Sequence, residues 1–467
     1  MTDNIFDKRI NDFENALRLN ESFDIKGREL TIYKKRAKLY FIDGCVRSDL
    51  LERLIEFFME NSNTPLPKNQ SPTEFINANV PYIEVQTTKD TQMLIDSVLK
   101  GETVLIIEGI DEGIYINART FPAREVDEPE NERVIRGSRD GFVEMLLKNT
   151  AIIRRRIRNP ELTFAHFTVG ENTKTDVAVV YMADKADKKY VEKIKNKIKN
   201  IKVYGLSMGH ESLAECLVTQ RWYNPFPKIR YTERPDAAAA MLLEGSVVIL
   251  CDNSPEAMIL PTSIFDFMQE TGDYYHPPLV GSYMRILRIF IFGLTVILTP
   301  LWYLLITNPQ WLPPRLEFIK VSYTGGLPII IQLFILELAI DGLKLASLNT
   351  PNALNNSLSI IGGLILGEYA VQSGWFIPEV ILYMAFVALA NFAQPSNELG
   401  YAFKFLRVII LTLTALFNLW GFLIGILLSI ALVVSNKTVD DTRSYLYPLI
   451  PFNAKALKRL ILRVKLR

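Results

Sequence analysis

Three acids and a lysine stand inside segments that otherwise read as membrane helix. "SIIGGLILGEYAVQSGW" carries Glu368 at its middle, and "GLPIIIQLFILELAIDGLKLA" carries Glu337, Asp341 and Lys344. A carboxylate at mid-bilayer costs about 2.5–3.5 kcal/mol on insertion scales unless it faces water, is paired or is neutralised. Gly363 and Gly367 put small residues near one face of the Glu368 helix, and such a face lets helices approach closely. Leu364, Glu368 and Val371 fall on the adjacent face. If the small face packs against another copy, the acid turns toward a shared axis, as in rings of acids that pass cations. The alternative is a single acid paired to Lys344 or sitting at the interface. Glu337 and Asp341 are one helical turn apart, with Lys344 a turn later. They form either an internal salt bridge or the polar lining of an ion path. Gly421 and Gly425 repeat the small-residue spacing and predict a second close-packing face.

In "IRRRIRNPEL" the run Arg154, Arg155, Arg156 admits three readings. It is a phosphate or RNA site, a partner for acids such as "DEPENE" on the same or a neighbouring chain, or a solvated face. "EGIDEG" and "RGSRDG" are Gly-rich but lack the Gly-Lys-Ser/Thr element that grips phosphate. The cysteines are Cys45, Cys216 and Cys251, and the histidines are His166, His210 and His276. Neither set has zinc spacing or a disulfide framework, and each cysteine is expected to be a buried thiol in a reducing compartment. No Ser-His-Asp or metal–water constellation stands out, so no metal, no cofactor and no enzymatic activity are expected. A net charge of +1 gives no polyelectrolyte signal for nucleic acid.

The elements that must position these residues divide the 467-residue chain by solvent. Residues 1–25 form a charged N-terminal segment without the apolar core of a signal peptide. Mixed strand and helix patterns follow in two α/β or α+β subdomains, 26–150 and 151–284. "ELTIYKKRAKLYFIDG" reads as a hairpin turning near Lys34-Lys35, and "ETVLIIEGIDEGIYINAR" as two strands around a Gly-rich turn. "RGSRDGFVEMLLKNTAIIRRRIRNPEL" reads as a long helix, capped by Ser138 or Asp140, that bridges the two subdomains.

From Arg285 an all-α polytopic membrane domain, 285–435, is expected with about four to six spans, followed by a basic tail, 436–467. Its first segment, 286–307, is about 33 Å of helix. The fifth, 405–434, is long enough to need tilt or to extend past the lipid. Arg285, Arg288 and the basic tail place both ends in the cytoplasm by the positive-inside rule. That demands an even number of crossings, and five segments are visible. One is therefore expected to be re-entrant or split, the second and third being the candidates. Lys404 and Arg407 fit no simple assignment.

At "FIDGCVRSD", "RVIRGSRDGFVEMLLKNTAIIRRRIRNPEL", "ERPDAAAAMLLEGSVVILCDNSPEAMILPTSIFDFMQETGDYY" and "SIIGGLILGEYAVQSGWFIPEVILYM" the chain resembles the A-subunit family of bacterial spore germination receptors. The likeness runs collinearly from about residue 25 to the end. "HPPLVGSYMRILR", "LKLASLNTPNAL" and "YLYPLIPFNAKALKRL" point to a branch apart from the nutrient receptors, which usually carry "EAGIRLP"-like residues where this chain has "DGLKLASLNTP". The resemblance implies a spore inner-membrane protein whose N-terminal region and C-terminal tail are cytoplasmic. It implies ring-shaped homo-oligomers, expected to be pentamers, that conduct monovalent cations early in germination. Membrane lipid and other inner-membrane germination proteins are the further partners it implies, including those that move calcium dipicolinate. Leu364, Glu368 and Val371 match the segment that lines the family's pore, and Arg154–Arg156 would order contacts between N-terminal regions around the ring. A non-conducting scaffold that clusters other germination proteins is the competing expectation. Its signature is buried, paired Glu337, Asp341 and Glu368. A transporter would show an internal repeat among its spans, and none is visible.

Overall fold

The computed structural model describes residues 2–60, 62, 84–120, 137–218, 222–321, 326–349, 369–439 and 444–463. The chain separates into two compact units. Unit 1 comprises Met1–Gln220, Ile229–Thr262 and Val439–Thr442; unit 2 comprises Arg221–Lys228, Ser263–Thr438 and Arg443–Arg467.

Unit 1 holds two five-stranded sheets, both wholly antiparallel. The first is built from β1 (Ile25–Ile32), β2 (Lys35–Ile42), β3 (Val85–Thr88), β4 (Thr103–Ile107) and β5 (Gly113–Ile116), in the order β1-β2-β4-β5-β3. The β1–β2 turn falls at Tyr33 and Lys34, both at positive φ, as a tight hairpin requires. Helices cover both faces of this sheet, so its central strand has no solvent side. Leu105 and Ile107 of β4 pack with Leu54, Ile55 and Phe58 of α2 (Ser48–Glu60). Val104 and Ile106 pack on the other face with Phe13 and Leu17 of α1 (Thr2–Leu17) and Leu94 and Val98 of α3 (Thr91–Leu99). The charged segment 1–25 therefore contributes a core helix, because Ile10, Phe13 and Leu17 recur at helical spacing.

The second sheet runs β6-β7-β9-β10-β8, from β6 (Leu162–Val169), β7 (Thr175–Met182), β8 (Arg230–Thr232), β9 (Val247–Cys251) and β10 (Ala257–Leu260). Val177, Val179 and Ile249 meet Ile194 and Ile198 of α5 (Lys188–Lys199) and Leu213 of α6 (His210–Leu217). Ala178, Val180 and Val248 meet Ile153 of α4 (Leu146–Arg156) and Ala238 and Leu242 of α7 (Pro235–Leu243). The expected long helix is shorter than its sequence pattern. It starts at Leu146 without a side-chain cap, and Ser138 and Asp140 instead bind Arg156. Cys45 and Cys251 are buried as expected, whereas Cys216 is exposed, on the outer face of a short amphipathic helix.

Unit 2 is helical. Its main elements are α8 (Pro278–Thr307), α9 (Ile329–Asn349), α10 (Pro378–Phe392), α11 (Asn397–Ser435) and α12 (Ala454–Ile461). Two helices of the described residues, α8 and α11, are long and apolar enough to cross a membrane, where about four to six spans were expected. α9 falls outside because its acids and lysine interrupt it, and α10 because it is short.

The fifth predicted segment is not one long tilted rod. α11 reverses at Asn418, whose φ of 53° and ψ of −130° are non-helical. A Cβ on Gly425 would stand 2.9 Å from the Ile410 Cα, and one on Gly421 would collide with the Leu413 carbonyl. Residues so far apart in sequence meet only if the two arms, 397–417 and 419–435, run antiparallel. The arms measure about 31 Å and 25 Å at ~1.5 Å per residue. The turn is closed by two amides: Asn308 Nδ2 donates to Asn418 Oδ1 at 2.7 Å, and Asn418 Nδ2 donates to Asn308 Oδ1 at 3.0 Å. The start of the first arm and the end of the second meet again at the other end, where Leu399, Phe403, Leu432 and Val433 share a cluster with Phe292 and Tyr445.

Candidate functional site: an ion-pair cluster in the helical unit

Glu337 and Asp341 recur at helical spacing and so share one face of α9. That face meets the first arm of α11, where Lys404 and Arg407 share a face for the same reason. Arg407 is fully buried, and the Glu337 side chain is 6% exposed. Their contact is bidentate: Nε donates to Oε1 at 2.6 Å and Nη2 to Oε2 at 2.9 Å. The third nitrogen, Nη1, donates to the Thr295 carbonyl of α8 at 2.9 Å. One guanidinium thereby ties three helices together. Lys404 donates to Asp341 Oδ2 and, at 3.3 Å, to the Glu337 carbonyl, with its Nζ 3.7 Å from Glu337 Oε2.

Two acids and two bases cancel in this cluster, which is the condition for keeping charge in an apolar bundle. The planar fork of arginine matches the two oxygens of a carboxylate, so the Glu337–Arg407 contact is fixed in geometry. Lys344, expected as the acids' partner, donates to Asn397 Oδ1 at 3.2 Å and lies over the Tyr401 ring at 4.6 Å. The two basic residues that fitted no topology are thus the counter-ions of the two acids.

Of the expected pore-lining residues, Leu364 and Glu368 lie outside the described residues, as do Gly363 and Gly367. Val371 is half-buried in a single helical turn, Ala370–Gln372, that precedes Gly374 at φ +72°. Gly421 and Gly425 lie where the arms of α11 approach each other.

The arginine run divides. Arg154 is 1% exposed and belongs to the interior of unit 1. It donates to Asp24 through Nε at 2.8 Å and Nη2 at 3.1 Å, to the Leu162 carbonyl at 2.9 Å and to the Asn159 carbonyl at 3.1 Å. Ser22 Oγ completes the knot, donating to Asp24 at 2.6 Å and accepting the Phe164 N–H at 3.1 Å. This knot latches the first sheet's leading segment to the second sheet. Arg154 is therefore not placed to be an oligomer contact, since its side chain is buried within its own chain. Arg155 and Arg156 are exposed; Arg156 Nη2 reaches Asp140 at 2.6 Å and Ser138 at 2.7 Å. The "DEPENE" acids lie outside the described residues.

Sequence reasoning did not assign roles to Asp24, Ser22, Thr295, Asn308, Asn418 or Gln332. Gln332 is fully buried, donating to the Leu327 carbonyl at 2.7 Å and accepting the Ile377 N–H at 3.0 Å. The lone amides in apolar segments, Gln332 and Asn418, were a usable signal, because a polar group in such a place needs a partner. Asp24 carried none, since nothing local distinguishes it from a surface acid.

Over residues 13–467 the chain matches the family described as Bacillus/Clostridium GerA spore germination protein, and it belongs to that family. It is 37% identical to stage V sporulation protein AF of Bacillus subtilis (strain 168), over 97% of this chain and 91% of that protein. To spore germination protein KA of the same organism it is 26% identical, over 97% and 83%. To spore germination protein A1 it is 31% identical, over 73% and 71%. Among solved structures it is similar to the N-terminal domain of the A subunit of the Bacillus megaterium spore germinant receptor GerK3. That match has 26% identity and a TM-score of 0.39, and covers 54% of this chain and 92% of that one.

Proposed function

We propose that this germination protein is a multi-pass protein of the spore inner membrane, a subunit of a homo-oligomeric, cation-conducting ring that promotes or amplifies germination. Five copies are the expected number, and the soluble unit and basic tail face the cytoplasm. The observation that carries the reading is the match to the germination-protein family over residues 13–467. The neutral cluster of Glu337, Asp341, Lys404 and Arg407 gives the second segment's acids a structural task, which leaves the proposed conduction role to Glu368 with Leu364 and Val371. Family membership over nearly the whole chain supports the germination role. The closed hairpin of α11 supports a common side for both ends, because its second arm returns the chain to the end at which the first began. Monovalent cations are the proposed cargo, and the protein acts without catalysis or a cofactor.

The test is potassium and sodium flux through the purified protein in liposomes, wild type beside Glu368→Gln. Flux altered by the substitution places the acid on the conduction path, and unaltered flux gives it another role. A correctly inserted protein that passes no ion, even with native spore-membrane extract added, favours a second reading. In that reading the chain is a non-conducting scaffold that clusters other germination proteins. The paired state of Glu337 and Asp341 is the observation on its side.

A further inference from the structure

The C-terminal helix of unit 2 has no role in the cluster, yet it is firmly placed. Arg285 Nη1 of α8 donates to the Arg459 carbonyl at 2.9 Å. The Arg463 N–H donates to Ser282 Oγ at 3.0 Å, and Arg463 Nη2 donates to the Tyr274 carbonyl at 2.6 Å. Leu460 is buried, and Gly281 leaves no room for a Cβ: one there would stand 2.6 Å from the Asp273 carbonyl oxygen and 2.9 Å from Arg463 Cδ. α12 is thus pinned against the first turns of α8, where that helix begins its long apolar run.

What the pinned segment turns outward is of two kinds. Lys455, Lys458 and Arg459 are exposed on α12. Just before it, Leu449, Ile450 and Phe452 are 44%, 53% and 71% exposed. The apolar surface continues onto α8, where Leu279 is 83% and Tyr283 61% exposed. Large apolar side chains beside a row of cations, held at the mouth of a membrane helix, match one environment: the headgroup layer of a bilayer, with acyl chains on one side and phosphates on the other.

We propose that residues 449–463 form an interfacial anchor that binds the anionic headgroups of the leaflet entered by α8. Leu449, Ile450 and Phe452 insert at the acyl boundary, and Lys455, Lys458 and Arg459 hold lipid phosphates. This rests on the reading of α8 as membrane-spanning.

The test uses the full chain in nanodiscs with Cys216→Ser, so that the buried Cys45 and Cys251 leave a single engineered site. A fluorophore at Ala454→Cys is read against lipids carrying a shallow nitroxide quencher, in phosphatidylcholine alone and with phosphatidylglycerol added. The control is a fluorophore at Leu301→Cys, within the apolar run of α8, read against a deep quencher. The expected result is strong quenching at 454 with phosphatidylglycerol, weakened in its absence and by Lys455→Glu, Lys458→Glu and Arg459→Glu together. The docked population should fall about fivefold per cation removed. Equal quenching in both lipids, or quenching indifferent to the three charges, overturns the proposal. Quenching at 301 without quenching at 454 overturns the anchor alone, whereas no quenching at 301 overturns the membrane reading and the anchor with it.

Discussion

Arg407 shows what a single residue does when it has no solvent to fall back on. Each of its three nitrogens donates to Glu337 or the Thr295 carbonyl, and the side chain is fully buried. Removing one partner of such a pair leaves an uncompensated buried charge, at a cost of about 3–5 kcal/mol. Arg407→Ala is accordingly expected to lower the melting temperature in detergent sharply. Arg407→Met with Glu337→Met, which removes both charges and keeps the bulk, should restore most of it. A single variant as stable as the parent would mean that the pair is not held in the bundle. The same logic holds for Arg154, whose loss strands Asp24 in the interior of unit 1. Arg154→Ala should destabilise that unit by a similar amount in urea titration. Arg155→Ala, at an exposed position, should stay within about 1 kcal/mol of wild type. Burial and the neighbouring Asp24 carboxylate push the Cys45 thiol up to about 12, and burial pushes Cys251 to about 11. The thiolate is the reacting form, so at neutral pH maleimide should modify Cys216 and spare the other two. Fast labelling of Cys45 in the folded protein would contradict its burial.

At the scale of elements the reversal at Asn418 matters most. An apolar run of this length, read for periodicity alone, is indistinguishable from a straight helix, because the period is the same on both arms. The turn comes from a tertiary fit. Gly421 and Gly425 have no side chain to hold the arms apart, and Asn308 satisfies the amide at the bend. Gly425→Leu should therefore force the arms apart and reduce folded yield strongly. Asn418→Gly, which relieves a positive φ but loses the amide pair with Asn308, should be less harmful than Asn418→Val, which loses the pair and is β-branched at the same φ. Fluorescence-detected size exclusion of the three variants reads this directly. Equal behaviour of the glycine and valine variants would argue against a left-handed bend at 418.

For the whole molecule, the exposed half of the arginine run is where assembly can be tested. Arg155→Glu with Arg156→Glu leaves the internal latch of Arg154 intact. If Arg155 and Arg156 order neighbouring soluble units in a ring, that reversal should shift detergent-solubilised protein from oligomer to monomer while its melting temperature holds. An unchanged oligomer would leave the pair to contacts within its own chain, that of Arg156 with Asp140 among them.

The sequence by itself determined the change from mixed strand and helix to apolar helix, the strand hairpins, the family and the residues whose charge needs explaining. Those follow from local periodicity, turn chemistry and collinear motifs, which a linear string contains in full. Tertiary structure decided which charge meets which. Glu337 takes Arg407, distant in sequence and on another helix. Arg154 turns inward while its neighbours stay out, and one apolar run becomes two antiparallel arms. Pairings of this kind depend on which helix faces pack together, and no local pattern encodes the neighbour that a face will find.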